Sequence, residues 1–130
     1  MAKVPIVDDN VETVELSTLL LESAGHEIQT GYNGEEGLKS MGTGPLPDCV
    51  LLDVDMPVLN GPGMAHQMLL HDAGEERIPI LLVSARSDLS EVAARMKTPY
   101  FLRKATSDYG RTLLTILDRA LRERQSPASA

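Results

Sequence analysis

Tryptophan is absent from this 130-residue chain, and aromatic residues make up only 3% of it. Any core must therefore be aliphatic, and 42% hydrophobic residues are enough to build one. Cysteine is scarce as well. The single Cys49 cannot close an internal disulfide, which excludes the small stapled folds and fits a reducing compartment, so a cytoplasmic location is expected. No apolar run approaches the ~20 residues of a membrane span. Asp8 and Asp9 interrupt the stretch that a secretory leader would need, so neither a leader nor a membrane partner is expected. Positive charge is rare in the first half: residues 1–65 hold 2 basic and 11 acidic residues, against 10 and 8 in residues 66–130. A net charge of −7 argues against direct nucleic-acid binding. The asymmetry is most simply read as solvated surface with an acidic and a basic pole.

The length favours one domain, expected over residues 1–124, with "QSPASA" at 125–130 as a disordered tail. Short apolar runs read as strands over Val4–Val7, Glu27–Thr30, Cys49–Leu52, Ile78–Val83 and Tyr100–Leu102. Asn10 is placed to cap a helix that runs to Ala24 and stops at Gly25, with Leu16, Leu19, Leu20 and Ala24 at helical spacing. Asn33-Gly34 reads as a turn, and Leu38 and Met41 point to a second helix. Further helices are expected from Gly61 to about Leu70, over Ser87–Met96, and over Thr106–Arg124 with Leu113, Leu117, Ala120 and Leu121 buried. Alternation of this kind predicts an α/β fold, a doubly wound five-stranded parallel sheet with five helices.

In such a sheet the loops at the carboxyl ends of the strands build the site. The residues that follow the strands are Asp8-Asp9, Asp53, Ser84 and Lys104. Three neighbouring carboxylates repel, and one stays protonated unless a hard cation such as Mg²⁺ offsets the charge. The set suits phosphoryl chemistry. Asp53 can attack phosphorus, Lys104 can neutralise phosphoryl oxygens, and the Ser84 hydroxyl can donate to one of them. No GxxxxGK[ST] loop is present, so ATP is not expected as the direct donor.

Four segments in this order, "IVDDN", "LLDVDMPVLNG", "LLVSA" and "FLRK", together resemble the receiver domain of two-component response regulators, the CheY-like family, over about residues 3–122. The resemblance implies a flavodoxin-like sheet in the order 2-1-3-4-5. It implies Asp53 as phosphoacceptor and Mg²⁺ held by Asp9 directly, Asp8 through water, Asp53 and the Asp55 main-chain carbonyl. The implied donor is a phosphohistidine on a sensor histidine kinase or phosphotransfer protein. Output is implied through the surface of the fourth helix, fifth strand and fifth helix to a downstream protein, with Ser84 and Phe101 as switch residues. Such a domain phosphorylates itself and loses the group slowly; it is not a turnover enzyme.

Some residues depart from that pattern. Pro5 falls in an internal strand, where a lost ladder bond predicts a bulge or a late start. Phe101 lacks the hydroxyl of the tyrosine common at its position. Ser84 and Phe101 are only 17 residues apart, which predicts a short fourth helix. Ala105 stands where a proline, typically in a cis bond, follows the lysine. A cis bond to alanine costs roughly 2.5–4 kcal/mol, so a trans bond is expected. Asp55 and Arg86, two residues after Asp53 and Ser84, are expected to pair across the site's mouth and to modulate phosphoryl lifetime.

Two other readings fit parts of the pattern. One is a pseudo-receiver that binds a partner without phosphotransfer. The other is a haloacid-dehalogenase-type phosphatase, since "VLLDVDMPV" also resembles that motif, although there the second acid pair follows the lysine. Plain structural roles suit the rest: Cys49, Met64 and Met68 as core, His26 in a helix-exit turn, His66 and His71 on or near an exposed helix, and Arg119, Arg122 and Arg124 at a helix end.

Overall fold

Aliphatic runs form five strands: β1 (Lys3–Val7), β2 (Glu27–Gly31), β3 (Val50–Leu52), β4 (Ile80–Ser84) and β5 (Tyr100–Arg103). They make one parallel sheet in the order β2-β1-β3-β4-β5. The structure, a computed structural model, describes residues 2–41, 47–56, 60, 63, 78–104 and 106–124. Among them helices span Val11–Ser23, Gly34–Met41, Leu89–Arg95 and Tyr109–Arg124. Of the helix expected over residues 61–70 only Gly63 is described, so Met64, His66 and Met68 lie outside the described residues, as do His71, Ala105 and the tail at 125–130. No helix of the described residues is long and apolar enough to cross a membrane.

Side chains alternate along a strand, so the central strands feed two cores. Val4, Ile6, Leu51, Leu81 and Val83 face one side and pack with Val14 and Leu21 of the first helix and Leu113, Leu117 and Ala120 of the last. Val7, Val50, Leu52 and Leu82 face the other side and meet Leu89, Val92 and Ala93. Cys49 is fully buried in the first of these cores. The central strands are buried on both faces, whereas the edge strands β2 and β5 are only partly so.

Local signals set the helix ends. Asn10 caps the first helix by accepting from Thr13 N at 3.0 Å. That helix stops at Gly25, whose φ of +92° suits glycine and lets His26 N reach Leu21 O at 3.1 Å. Asn33, read from sequence as part of a turn, accepts from Glu36 N at 2.9 Å, while Glu36 accepts from Tyr32 N at 3.0 Å. These two bonds start the second helix. The Leu89–Arg95 helix has seven residues, short as the spacing predicts.

One expectation needs correction. Pro5 causes neither a bulge nor a late start, because β1 pairs with β2 in unbroken register from Lys3↔Glu27 to Val7↔Gly31. Ladder bonds alternate between neighbours. Asp8 N bonds to Gly31 O on β2, and Val7 O accepts from Asp53 N on the β3 side. Pro5 therefore turns its missing N–H towards β3, and register pairs with β3 begin at Ile6. In the first helix the residues at helical spacing do not form the buried face. Leu16 and Leu19 are exposed, at 49% and 65%, and Ala24 is exposed too, whereas Val14, Ser17 and Leu21 are buried and Leu20 is partly buried.

The buried face is testable by thermal unfolding. Leu21→Ala is expected to cost about 2–5 kcal/mol by opening a core cavity, and Leu19→Ala to stay within about 0.5 kcal/mol of the wild type. A larger loss in Leu19→Ala than in Leu21→Ala would mean that the helix packs through Leu16 and Leu19 instead.

Candidate functional site

The carboxyl edge of the sheet gathers the residues singled out from the sequence. Asp8 follows β1, Asp53 follows β3, Ser84 ends β4 and Lys104 follows β5. Three backbone bonds carry the parallel ladder one step past the strands: Asp8 N to Gly31 O at 3.0 Å, Asp53 N to Val7 O at 2.9 Å and Lys104 N to Ser84 O at 2.9 Å. The sheet thus fixes the main chain of each site residue before any side-chain contact is made.

Asp8 and Asp53 are buried, and Asp9 is exposed. Carboxylate oxygens of the three lie within 4.8 Å of one another. Lys104 Nζ is 2.9 Å from Asp8 Oδ2 and 3.6 Å from Asp53 Oδ2. Asp8 Oδ1 also accepts from Asn10 N, and Asp53 Oδ1 from Val54 N, both at 2.9 Å. One ammonium therefore faces two buried carboxylates. Burial, then the charge of Asp8, pushes the Asp53 carboxyl up to about 7; Lys104 and the Val54 N–H oppose the rise. Burial alone would lower the Lys104 ammonium, but the hydrogen bond and charge of Asp8, with Asp53 and Asp9, hold it above its ordinary value. Asp8, Asp9 and Asp53 supply only hard oxygen donors, and such a set fits Mg²⁺.

Ser84 is buried, and its Oγ accepts from Arg86 N at 3.2 Å. Arg86 Nη1 reaches Asp55 Oδ1 at 3.1 Å and Oδ2 at 3.3 Å, so the two residues expected to pair do meet. Sequence reading missed the third member of this group. Arg86 also gives Nε to Asp88 Oδ1 at 2.8 Å and Nη2 to Asp88 Oδ2 at 2.9 Å. The available signal was an Asp just ahead of a helix, which reads as a cap. Tyr109 was missed too: its hydroxyl lies 3.2 Å from Ser17 Oγ, where Ser17 and Tyr109 line a small cavity with Asp8, Thr13 and Asp53. Phe101 stands on β5 and is 37% exposed. Ala105, and with it the bond from Lys104, lies outside the described residues.

The family model described as the response regulator receiver domain matches residues 4–108. Protein PilH of Pseudomonas aeruginosa is 36% identical over 86 residues, 66% of this chain and 69% of PilH. A transcriptional regulatory protein of Haemophilus influenzae, a CpxR homolog, is 35% identical over 68% of this chain but only 36% of its own length. Among solved structures, the chemotaxis protein CheY4 of Vibrio cholerae superposes with a TM-score of 0.80 at 27% identity, over 93% of this chain and 99% of that one.

The electrostatics of Asp53 set a pH dependence for metal-free protein. Its carboxyl is raised in the fold from an ordinary 3.8 to about 7. The folded state therefore keeps a proton that the unfolded chain releases. The stability Asp53 contributes is full below about pH 4 and is lost as pH rises through about 7. In EDTA, the wild-type melting temperature is expected to fall over this window more steeply than that of Asp53→Asn, and the variant should melt higher at pH 8. A variant that melts lower there would contradict the crowded-charge picture.

Proposed function

The chain belongs to the response regulator receiver domain family, and from that premise we propose that Asp53 accepts a phosphoryl group from a phosphohistidine on a sensor histidine kinase or phosphotransfer protein. The observation that carries this reading is a buried carboxylate, Asp53, set between Asp8 and Lys104 at the carboxyl edge of the sheet. An Asp53 oxygen forms the bond to phosphorus while the phosphorus–nitrogen bond to the donor histidine breaks, and the imidazole leaves with the electron pair. Asp53 must be ionised to attack, so the charges around it decide its competence. Asp8, Asp9, Asp53 and the Asp55 carbonyl are the residues that would hold Mg²⁺. When bound, the metal offsets the charge of the acids and of the phosphoryl oxygens. Lys104 carries a fixed ammonium for one of those oxygens. The Ser84 oxygen already accepts from Arg86 N and keeps its own hydrogen for another.

Residues 1–124 then act as a cytoplasmic signalling receiver rather than a turnover enzyme. The surface made by the Leu89–Arg95 helix, β5 and the Tyr109–Arg124 helix presents the phosphorylation state to a downstream protein, with Ser84 and Phe101 as the switch. The exposed Phe101 ring on β5 supports that assignment. Asp55 and Arg86 flank the entrance and set the lifetime of the phosphorylated state.

Intact mass spectrometry after treatment with acetyl phosphate and Mg²⁺ tests the acceptor. The wild type is expected to gain one phosphoryl group, Asp53→Asn none, and the wild type in EDTA none. Labelling that persists in Asp53→Asn would take the role away from Asp53.

A further inference from the structure

Asp88 occupies the N-cap position of the Leu89–Arg95 helix, yet its side chain makes no capping bond. The first-turn donors Glu91 N and Val92 N bond instead to its main-chain oxygen, at 3.0 and 3.1 Å. Both carboxylate oxygens are thereby available to Arg86, and they take its Nε and Nη2 in a two-pronged pair at 2.8 and 2.9 Å. Such a fork fixes the plane of the guanidinium as well as its position. The remaining nitrogen, Nη1, then falls on Asp55, at 3.1 and 3.3 Å from its two oxygens. The Arg86 main chain is tied to the site as well, through its N–H on Ser84 Oγ. An exposed arginine left alone loses rotamer freedom to hold one such contact. Here Asp88 has already removed that freedom.

We propose that Asp88 is a positioning residue: by gripping the Arg86 guanidinium it holds Nη1 on Asp55 across the mouth of the Asp53 site and so lengthens the life of the phosphoryl group on Asp53. The inference rests on Asp53 being the phosphoacceptor. In hydrolysis a water oxygen bonds to phosphorus as the phosphorus–oxygen bond to Asp53 breaks. The bonding pair returns to the carboxylate, a water proton passes to solvent, and inorganic phosphate leaves. The water must approach in line with the breaking bond. The bridge joins the residue two past Asp53 to the residue two past Ser84 and is tied to the Ser84 hydroxyl through Arg86 N, which would set it beside the path of that water.

The test is the rate at which protein phosphorylated by acetyl phosphate and Mg²⁺, then freed of donor, loses its added mass. Asp88→Asn and Arg86→Ala are each expected to lose the phosphoryl group about two- to fivefold faster than wild type, the size set by one exposed charge pair. The double variant should be no faster than the faster single one. Asparagine caps helices as well as aspartate does, so a residue that served only as a cap would leave the rate in Asp88→Asn unchanged, and that result would overturn the proposal. The grip has its own readout. The Asp88 carboxyl carbon should titrate below the ordinary aspartate range, because of its hydrogen bond to Arg86, and move up in Arg86→Ala; an unmoved titration would also overturn the proposal. Wild-type protein that gains no phosphoryl group on Asp53 would remove the acceptor reading and this inference together. Normal labelling with an unaltered lifetime in Asp88→Asn would remove this inference alone.

Discussion

Lys104 serves two buried carboxylates with one charge, and the behaviour of the site follows from that shortage. Its ammonium sits closer to Asp8, at 2.9 Å, than to Asp53, at 3.6 Å. Asp53 is therefore the less compensated partner, and burial lifts its carboxyl towards neutrality. A fully paired Asp53 would be a structural ion pair with little call for anything else. Under the proposed function, an underpaired one is what would admit a cation and, behind it, an electrophilic phosphorus. The same imbalance gives the folded protein a defect that a dication bound there would remove, which would couple metal affinity to stability.

That shortage exists only because the sheet enforces it. Side-chain attraction could not bring three acids together. The backbone bonds of Asp8, Asp53 and Lys104 to neighbouring strands set their positions, and apolar burial on both faces of β1, β3 and β4 holds the strands. The edge strand β5 buries one face and exposes the other. On one face Tyr100 packs into the core, its hydroxyl 2.6 Å from Glu123 and its ring under Arg119 at 4.9 Å. Burial and the Glu123 carboxylate push that phenol up to about 12, so it stays neutral throughout the working range. On the other face Phe101 is exposed. The strand that leads to Lys104 is thus anchored to the last helix while the Phe101 side chain stays exposed.

Much of this was legible in the sequence because it depends on local pattern. The apolar runs, the acids that end them and the lysine after "FLR" sit on different strands, and parallel topology alone brings their ends together. Contacts that depend on distant pairing were not legible. Ser17 is buried because Tyr109, 92 residues away, satisfies its hydroxyl. A hydrophobic stripe therefore does not mark the buried face, and the first helix buries Val14, Ser17 and Leu21 while Leu16 and Leu19 face water. Pro5 is tolerated because ladder bonds alternate, a fact of register that composition does not carry. Asp88 reads as a cap, and only coordinates show that its carboxylate turned to Arg86.

The central claim is that Asp53 is held near neutrality by burial beside Asp8 until a cation arrives. The most direct measurement is a carbon-13 titration of the Asp53 carboxyl, without metal and then in saturating Mg²⁺. The account predicts a midpoint near 7 without metal and a marked fall when Mg²⁺ is present. A midpoint in the ordinary aspartate range without metal, or one that Mg²⁺ leaves in place, would contradict it.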